Sequence, residues 1–237
     1  MSWSQDSFLI DISKVKGKKL VLVSAIETLR REGLFSLFQK FARTLFFKIK
    51  GVDFSPQNLH DLQIESKFKQ NASVCNHILD KSFDEILKKL KNYDPLITDG
   101  VFVDYGSGKG KTLYKASKFG FREVIGVEFA KELYEISESN LKKLGIKNAK
   151  TIHLDATLFT PPKDARVLFF HNPFDERVFE KVLDNIERSE FEKDLYIVYH
   201  YPLCKEVFEK RDRFLPLEEF ISPTSGEKSY FYLLRVK

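Results

Sequence analysis

The chain has 237 residues, of which 43% are apolar and 31% are charged, and its formal net charge is +5. This composition suits a globular protein, and the length accommodates one domain with an extension. The two cysteines, Cys75 and Cys204, match neither a disulfide framework nor a metal site, which favours a reducing cytoplasmic compartment. They also cannot supply a three-cysteine iron–sulfur site, so radical chemistry is excluded.

The positive charge is concentrated in the amino-terminal part. Residues 1–50 contain ten Lys/Arg and four Asp/Glu, which gives a net charge of +6. The remaining 187 residues contain 29 Lys/Arg and 30 Asp/Glu, which gives a net charge of −1. A main domain that grips nucleic acid would more often carry a basic rim, so nucleic-acid binding is not the favoured expectation. No secretion signal opens the chain, and the longest clean apolar stretch, Leu20–Ile26, is too short to span a bilayer.

Residues 20–50 are predicted to form one or two helices. Apolar side chains recur at intervals of three and four residues, which places them on one helical face. The members of that face are Leu34, Phe35, Phe38, Phe41, Ala42, Leu45, Phe46 and Ile49, and the cations largely opposite are Lys40, Arg43, Lys48 and Lys50. Three interpretations stay open: a cap on the main domain or on a partner subunit, an interfacial helix on anionic lipid, and a contact with nucleic acid.

Residues 51–75 are predicted as a loop with short elements, and the rest of the chain alternates helices and strands. The predicted helices are 76–92, Lys111–Phe119, Lys131–Leu144, Glu176–Arg188 and Lys205–Arg211. The predicted strands are Val101–Asp104, Val124–Glu128, Thr151–Leu154, Val167–Phe170, Leu195–Tyr199, Phe214–Ile221 and Tyr230–Val236. The alternation predicts a parallel sheet with right-handed crossovers.

The last two strands break the alternation. Only residues 222–226 and their immediate neighbours join them, which is too short for a crossover helix, so the two must pair antiparallel. The sequence therefore predicts an α/β fold: a doubly wound, mostly parallel seven-stranded sheet with a C-terminal antiparallel hairpin, preceded by an N-terminal helical extension.

A glycine-rich segment joins the first strand to the next helix. It begins at Asp104 and contains Gly106, Ser107, Gly108 and Gly110. Glycines permit positive φ and let a ligand lie against the backbone, and the amides that open the next helix carry partial positive charge. A strand, a glycine turn and a helix in this order are typical of a nucleotide-type site.

Polar residues close the following strands at the same edge. Glu128 ends the second strand, where it is placed to accept hydrogen bonds from both hydroxyls of a ribose, a contribution of roughly 1.5–3 kcal/mol. Asp155 follows the third strand, and His171 followed by Asn172, Pro173 and Phe174 closes the fourth. In an open parallel sheet these ends form one crevice, where ligands bind.

The glycine segment, the two carboxylates and the Asn-Pro-Phe motif together resemble the class I S-adenosylmethionine-dependent methyltransferases, over about residues 98–237. The chain also looks like a bacterial subgroup with a Gly-Ser-Gly-Lys-Gly loop and an Asn-Pro-Phe motif. The resemblance implies an extension and linker over 1–75 and a methyltransferase domain over 76–237. It implies that S-adenosylmethionine is held by Asp104 and the glycine segment (methionine part), Glu128 (ribose), and Asp155 with Ala156 (adenine).

The Asn-Pro-Phe motif is predicted to face the methyl acceptor. Asn172 offers an amide oxygen to an amine N–H, the backbone carbonyl before Phe174 offers another, and Phe174 offers a ring for stacking on a planar substrate. Amino-methyltransferases carry a longer relative of this motif with two prolines, and non-SET histone lysine methyltransferases carry an Asn-rich segment at the same place. The resemblance thus implies transfer to nitrogen, with a protein lysine, a small molecule, a lipid headgroup or RNA open as acceptor.

Other interpretations of these residues remain. Asn172 and Pro173 can instead form a strand-ending turn, with Asp175 as the N-cap of the next helix, and His171 and His200 can be packed residues or proton carriers. A nicotinamide dinucleotide site needs its third glycine at position 111, which is Lys111. The same fold can also serve as a non-catalytic cofactor-binding or scaffold module. The scattered histidines predict no catalytic metal.

Overall fold

The computed structural model describes residues 34–35, 37–56 and 78–236, and the chain divides into two compact units, Met1–Lys50 and Gly51–Lys237. In the first unit, residues 37–50 form helix α1, and residues 34 and 35 are also helical. The other residues of the predicted 20–50 segment lie outside the described part. Within the described ranges, none of the helices combines the length and the apolar character that crossing a bilayer requires.

The second unit alternates strands and helices in the predicted order. Its helices are α2 (Asp80–Tyr93), α3 (Lys111–Phe119), α4 (Lys131–Lys143), α5 (Glu176–Arg188) and α6 (Glu206–Glu209). Its strands are β1 (Val101–Tyr105), β2 (Glu123–Glu128), β3 (Ala149–His153), β4 (Ala165–His171), β5 (Leu195–His200), β6 (Leu215–Ile221) and β7 (Lys228–Leu234).

The seven strands form one sheet in the order β3-β2-β1-β4-β5-β7-β6. Strands β1 to β5 are parallel, and β7 pairs antiparallel with both β5 and β6. The predicted fold class, including its terminal hairpin, is therefore confirmed. The chain reverses its direction across the sheet between β1 and β4, which is the switch point where open α/β sheets bind ligands.

Helices cover both faces of the sheet, as a doubly wound fold requires. Because strand side chains alternate between faces, Phe102 of β1 packs in one buried cluster with Phe83 of α2 and Leu113 of α3. Its neighbour Val103 packs in the opposite cluster with Phe179 of α5. Strands β1, β2, β4 and β5 are almost entirely buried, whereas the edge strand β3 is partly exposed.

Some element boundaries differ from the prediction. Helix α2 starts at Asp80 and not at residue 76, because Leu79 is extended (φ −62°, ψ 136°), and residues 76–77 lie outside the described part. Helix α6 covers only Glu206–Glu209, since Lys210 leaves helical geometry with ψ 0°. Strand β3 starts two residues early because Ala149 pairs with Val124 of β2.

Candidate active site

The glycine loop, Gly106 to Gly110, lies at the switch point between β1 and α3. Gly106, Gly108 and Gly110 all have positive φ, at 77°, 54° and 78°, a region that residues with a Cβ rarely adopt. A Cβ on Gly106 would lie 2.7 Å from the Cβ of Pro173. The loop therefore touches the segment that follows β4, and this contact needs a bare backbone.

Glu128 closes the loop from the neighbouring strand. Its Oε2 accepts a hydrogen bond from the Gly108 amide at 2.8 Å, and its Oε1 accepts one from the Ala130 amide at 2.9 Å. Burial raises the pKa of Glu128 to about 7, against the effect of these backbone bonds. A carboxylate has about four acceptor positions, so Glu128 retains acceptor capacity for the two hydroxyls of a ribose.

Asp104 is the second buried carboxylate of the site. It is the penultimate residue of β1 and accepts a hydrogen bond from the hydroxyl of Thr112 in the first turn of α3. Burial raises the pKa of Asp104 to about 7, opposed by the bond from Thr112 and assisted by the nearby Glu128 carboxylate. Two acids shifted in this way beside a glycine loop are a mark of a functional site.

The remaining residues predicted to bind the cofactor have structural contacts. The Ser107 hydroxyl faces β2, since a Cβ on Gly126 would lie 2.4 Å from it. Asp155 caps the short turn after β3 through the amide and hydroxyl of Thr157, both at 2.8 Å. Ala156, the first residue of that turn, is buried. The cofactor contacts of Ser107, Asp155 and Ala156 stay predictions.

Asn172 follows β4 in a left-handed conformation, with φ 42°. It is buried, and its Oδ1 accepts a hydrogen bond from the Tyr199 hydroxyl at 3.1 Å. The Tyr199 hydroxyl in turn accepts a hydrogen bond from the Cys204 amide at 3.0 Å. Phe174 is partly buried, and its ring meets Phe179 edge-on at 5.8 Å. The sequence contained no signal for the bond to Tyr199, which fixes the Asn172 amide.

The turn interpretation of this segment is also correct. The Asp175 side chain accepts a hydrogen bond from the Val178 amide at 3.0 Å and is the N-cap of α5. Capping by Asp175 and a substrate-facing role for Asn172 involve different side chains, so the cap leaves that role of Asn172 a prediction.

His200 has no exposed surface and serves the C-terminal hairpin. Its Nδ1 lies 2.8 Å from the Ser229 hydroxyl, and its Nε2 lies 3.4 Å from Glu227. The close approach of His200 lowers the pKa of Glu227 to about 2, against the effect of partial burial. The half-buried His171 ring lies 4.9 Å from that of His200. Tyr201, which follows β5 at the same edge, is 52% exposed.

Lys109 makes contacts at the glycine loop that the sequence did not predict. Its buried ammonium lies 2.7 Å from the Asp53 carboxylate and 3.1 Å from the Ser55 hydroxyl, and Asn140 donates to the backbone carbonyls of both Asp53 and Lys109. Although partial burial raises the pKa of Asp53, the hydrogen bonds from Lys109 and Ser55 lower it to about 2. Residues 51–56 are thereby fastened to the glycine loop.

These residues fit a sulfonium nucleoside. The loop exposes backbone where a Cβ would intrude, and Glu128 offers acceptors for ribose hydroxyls. The buried Tyr105 hydroxyl has no hydrogen-bond partner in the described part of the chain, and it belongs to the same apolar cluster as Ala156. Buried hydroxyls are normally bonded, so Tyr105 is suited to a ligand with polar atoms. Across the same described part, no group of three His, Cys, Asp or Glu is arranged to hold a metal ion.

Comparison with known proteins supports the fold and nothing narrower. No family model matches the chain, and no curated protein is similar to it in sequence. Among solved structures, yhhF of Escherichia coli, provisionally described as a methyltransferase, is 16% identical with a TM-score of 0.54, over 68% of this chain and 90% of that one. An S-adenosylmethionine-dependent O-methyltransferase of Thermotoga maritima is 16% identical with a TM-score of 0.53, over 68% of each chain.

A third similar structure was solved with S-adenosylmethionine bound. It is the magnesium protoporphyrin IX methyltransferase of Synechocystis, 9% identical with a TM-score of 0.50, over 66% of this chain and 79% of that one. The strand order, the antiparallel end of the sheet and these similarities agree. The chain has the Rossmann-like α/β fold of the S-adenosylmethionine-dependent methyltransferases.

Proposed function

We propose that this protein is an S-adenosylmethionine-dependent methyltransferase that acts on nitrogen. One observation carries the proposal: the glycine loop contacts both the carboxylate that ends β2 and the Asn-Pro segment that ends β4. The Gly108 amide lies 2.8 Å from Glu128, and Gly106 leaves no room for a Cβ beside Pro173. A cofactor on the loop therefore has Asn172 next to it.

In this proposal the cofactor half of the site binds by shape and by hydrogen bonds. Asp104 and the glycine loop hold the methionine part, Glu128 the ribose, and Asp155 with Ala156 the adenine. When bound, S-adenosylmethionine would supply an electrophilic methyl group: the lone pair of a neutral amine forms the N–C bond as the C–S bond breaks with its electrons on sulfur, and the positive charge passes to the nitrogen, which then releases a proton to water.

The acceptor half orients the amine. The Asn172 oxygen accepts a hydrogen bond from the Tyr199 hydroxyl, which holds the amide in place. In this proposal the same oxygen also accepts an N–H from the acceptor and turns the nitrogen lone pair toward the methyl group, since in-line displacement depends on this alignment. Phe174 and Tyr201 flank the acceptor, which is a protein lysine, a small molecule, a lipid headgroup or RNA. We place the reaction in the cytoplasm.

Two measurements test the proposal. S-adenosylhomocysteine should raise the melting temperature of the purified protein, because a ligand that binds only the folded state stabilises it. Extract of a deletion strain, incubated with enzyme and cofactor radiolabelled on the methyl group, should then incorporate label into a protein, RNA, lipid or small-molecule fraction. No stabilisation at millimolar ligand contradicts the cofactor site, and stabilisation without labelling in any fraction contradicts catalysis.

A further inference from the structure

Helix α1 exposes a continuous apolar face. Together with residues 34 and 35 before it, this face has seven large apolar side chains that are each at least 43% exposed, and five of them are at least 66% exposed. They are Leu34, Phe35, Phe38, Phe41, Leu45, Phe46 and Ile49. At about 100° of rotation per residue, they span an arc of about 140°. A surface helix of a globular protein normally packs an apolar face of this width against the protein core. The exposed face of α1 is therefore suited to binding another apolar surface.

The charges beside this face are all of one sign. Residues 34–50 contain Lys40, Arg43, Lys48 and Lys50 and no Asp or Glu. On the helical wheel Lys48 and Lys50 lie just outside the two borders of the apolar arc. At these borders the aliphatic part of a lysine side chain can pack along an apolar surface while its ammonium group reaches phosphates.

We propose that α1 lies in the surface of an anionic lipid bilayer, a binding site that goes beyond the proposed methyl transfer. Its phenylalanines would enter the acyl boundary, and its cations would meet the lipid phosphates. A strongly amphipathic helix with a purely basic polar face and Phe and Leu opposite is the type that binds there. An anionic lipid surface accounts for both features, because its acyl boundary accepts the apolar face and its phosphates complement the uniformly basic charge.

The experiment is cosedimentation of the full-length protein with vesicles. Vesicles of phosphatidylcholine with a third phosphatidylglycerol should bind it at low salt, pure phosphatidylcholine should bind it much less, and added salt should release it. The variant Phe38→Ser/Phe41→Ser should lower the partition coefficient about tenfold, since it removes two rings from the apolar face. Replacing the four cations of α1 by Gln should lower it about a hundredfold.

Matched variants in the second unit control for general surface effects. Leu96→Ser/Ile221→Ser removes side chains that are 59% and 55% exposed, and Lys163→Gln/Lys210→Gln removes two exposed cations. Both should bind vesicles like the wild type. S-adenosylhomocysteine binding is measured on every variant, so that loss of folding or of the proposed cofactor site is distinguished from loss of lipid binding.

Several outcomes would overturn the proposal. They are no binding to anionic vesicles, equal binding to both vesicle types, and binding that survives the Phe38→Ser/Phe41→Ser change. A dimer in solution that the same change disperses would assign the apolar face to a second copy of the chain. Retention on duplex DNA or RNA that depends on the cations and not on the phenylalanines would assign α1 to nucleic acid.

Discussion

At the edge of the sheet where the parallel strands end, the loop after β1 and the segments after β4 and β5 both adopt left-handed backbone conformations, but with different residue types. After β1 the chain uses glycines, whereas after β4 and β5 it uses Asn172 (φ 42°) and Tyr201 (φ 53°), the non-glycine residues with positive φ in the described part of the chain. A side chain in this region costs roughly 1–2 kcal/mol, least for Asn. Strain of this kind concentrates at functional sites. The contrast agrees with the proposal that backbone contacts the cofactor and that side chains contact the acceptor.

The largest expected effect on cofactor binding is that of Gly106→Ala. Its new Cβ meets Pro173 and the residue must keep φ 77°, so we expect S-adenosylhomocysteine affinity to fall by about 3 kcal/mol, more than a hundredfold. Gly145→Ala is the matched control, because φ is 67° there and a new Cβ meets nothing within 4 Å. Calorimetric titration of both variants checks the difference; equal affinities would show that the contact with Pro173 is irrelevant to the cofactor.

Glu128→Ala should have the next largest effect. Loss of a charge-assisted acceptor for the ribose should weaken S-adenosylhomocysteine binding by about 1.5–3 kcal/mol. Glu123→Ala, at the exposed start of the same strand, removes a carboxylate paired only with surface groups and should leave affinity unchanged. An unchanged dissociation constant for Glu128→Ala would remove the ribose assignment.

Asn172→Gly separates the acceptor half from the cofactor half. Glycine keeps the left-handed conformation and removes the side-chain amide. The lost hydrogen bond should raise the activation free energy of methyl transfer by about 1–3 kcal/mol and so lower the turnover rate, while the affinity for S-adenosylhomocysteine stays constant. Single-turnover methylation of the identified acceptor measures it. Turnover equal to that of the wild type would move the chemistry away from Asn172.

The buried carboxylates predict a pH dependence of stability. The folded pKa values of Asp104 and Glu128 are raised to about 7, above about 4 in the unfolded chain, so the folded state holds more protons between those values. The free energy of unfolding of the ligand-free protein should therefore fall as pH rises toward 7, by of order 1 kcal/mol per pH unit and group, and level off above. Urea unfolding from pH 5 to 8 checks this, and Glu128→Gln should flatten the slope; a rise in stability over the same range would contradict it.

The smallest effect belongs to Tyr201. Tyr201→Gly and Tyr201→Asn both relieve the left-handed strain, so each should leave stability unchanged or raise it by about 1 kcal/mol. Both remove the half-exposed ring, and the KM for the acceptor should rise. Thermal unfolding and acceptor kinetics are measured together. An unchanged KM in both variants would exclude Tyr201 from the acceptor site.

Local pattern was enough for the elements of the second unit. Helices α3 and α5 begin and end at the residues that the sequence predicts, and Asp175 is the predicted N-cap of α5. The antiparallel hairpin followed from the shortness of the turn between its strands. These features depend on residues that are close together in the chain, so a short stretch of sequence is enough to predict each of them.

Tertiary structure decided the contacts between distant residues. It placed β7 between β5 and β6, paired Lys109 with Asp53, bonded Tyr199 to Asn172 and enclosed His200 beneath the hairpin. None of these contacts can be predicted from a periodic pattern in the sequence, because partners far apart in the chain meet only when strand order and helix packing bring them together. The sequence by itself determined which residues end the strands, and the folded sheet decided which of them touch.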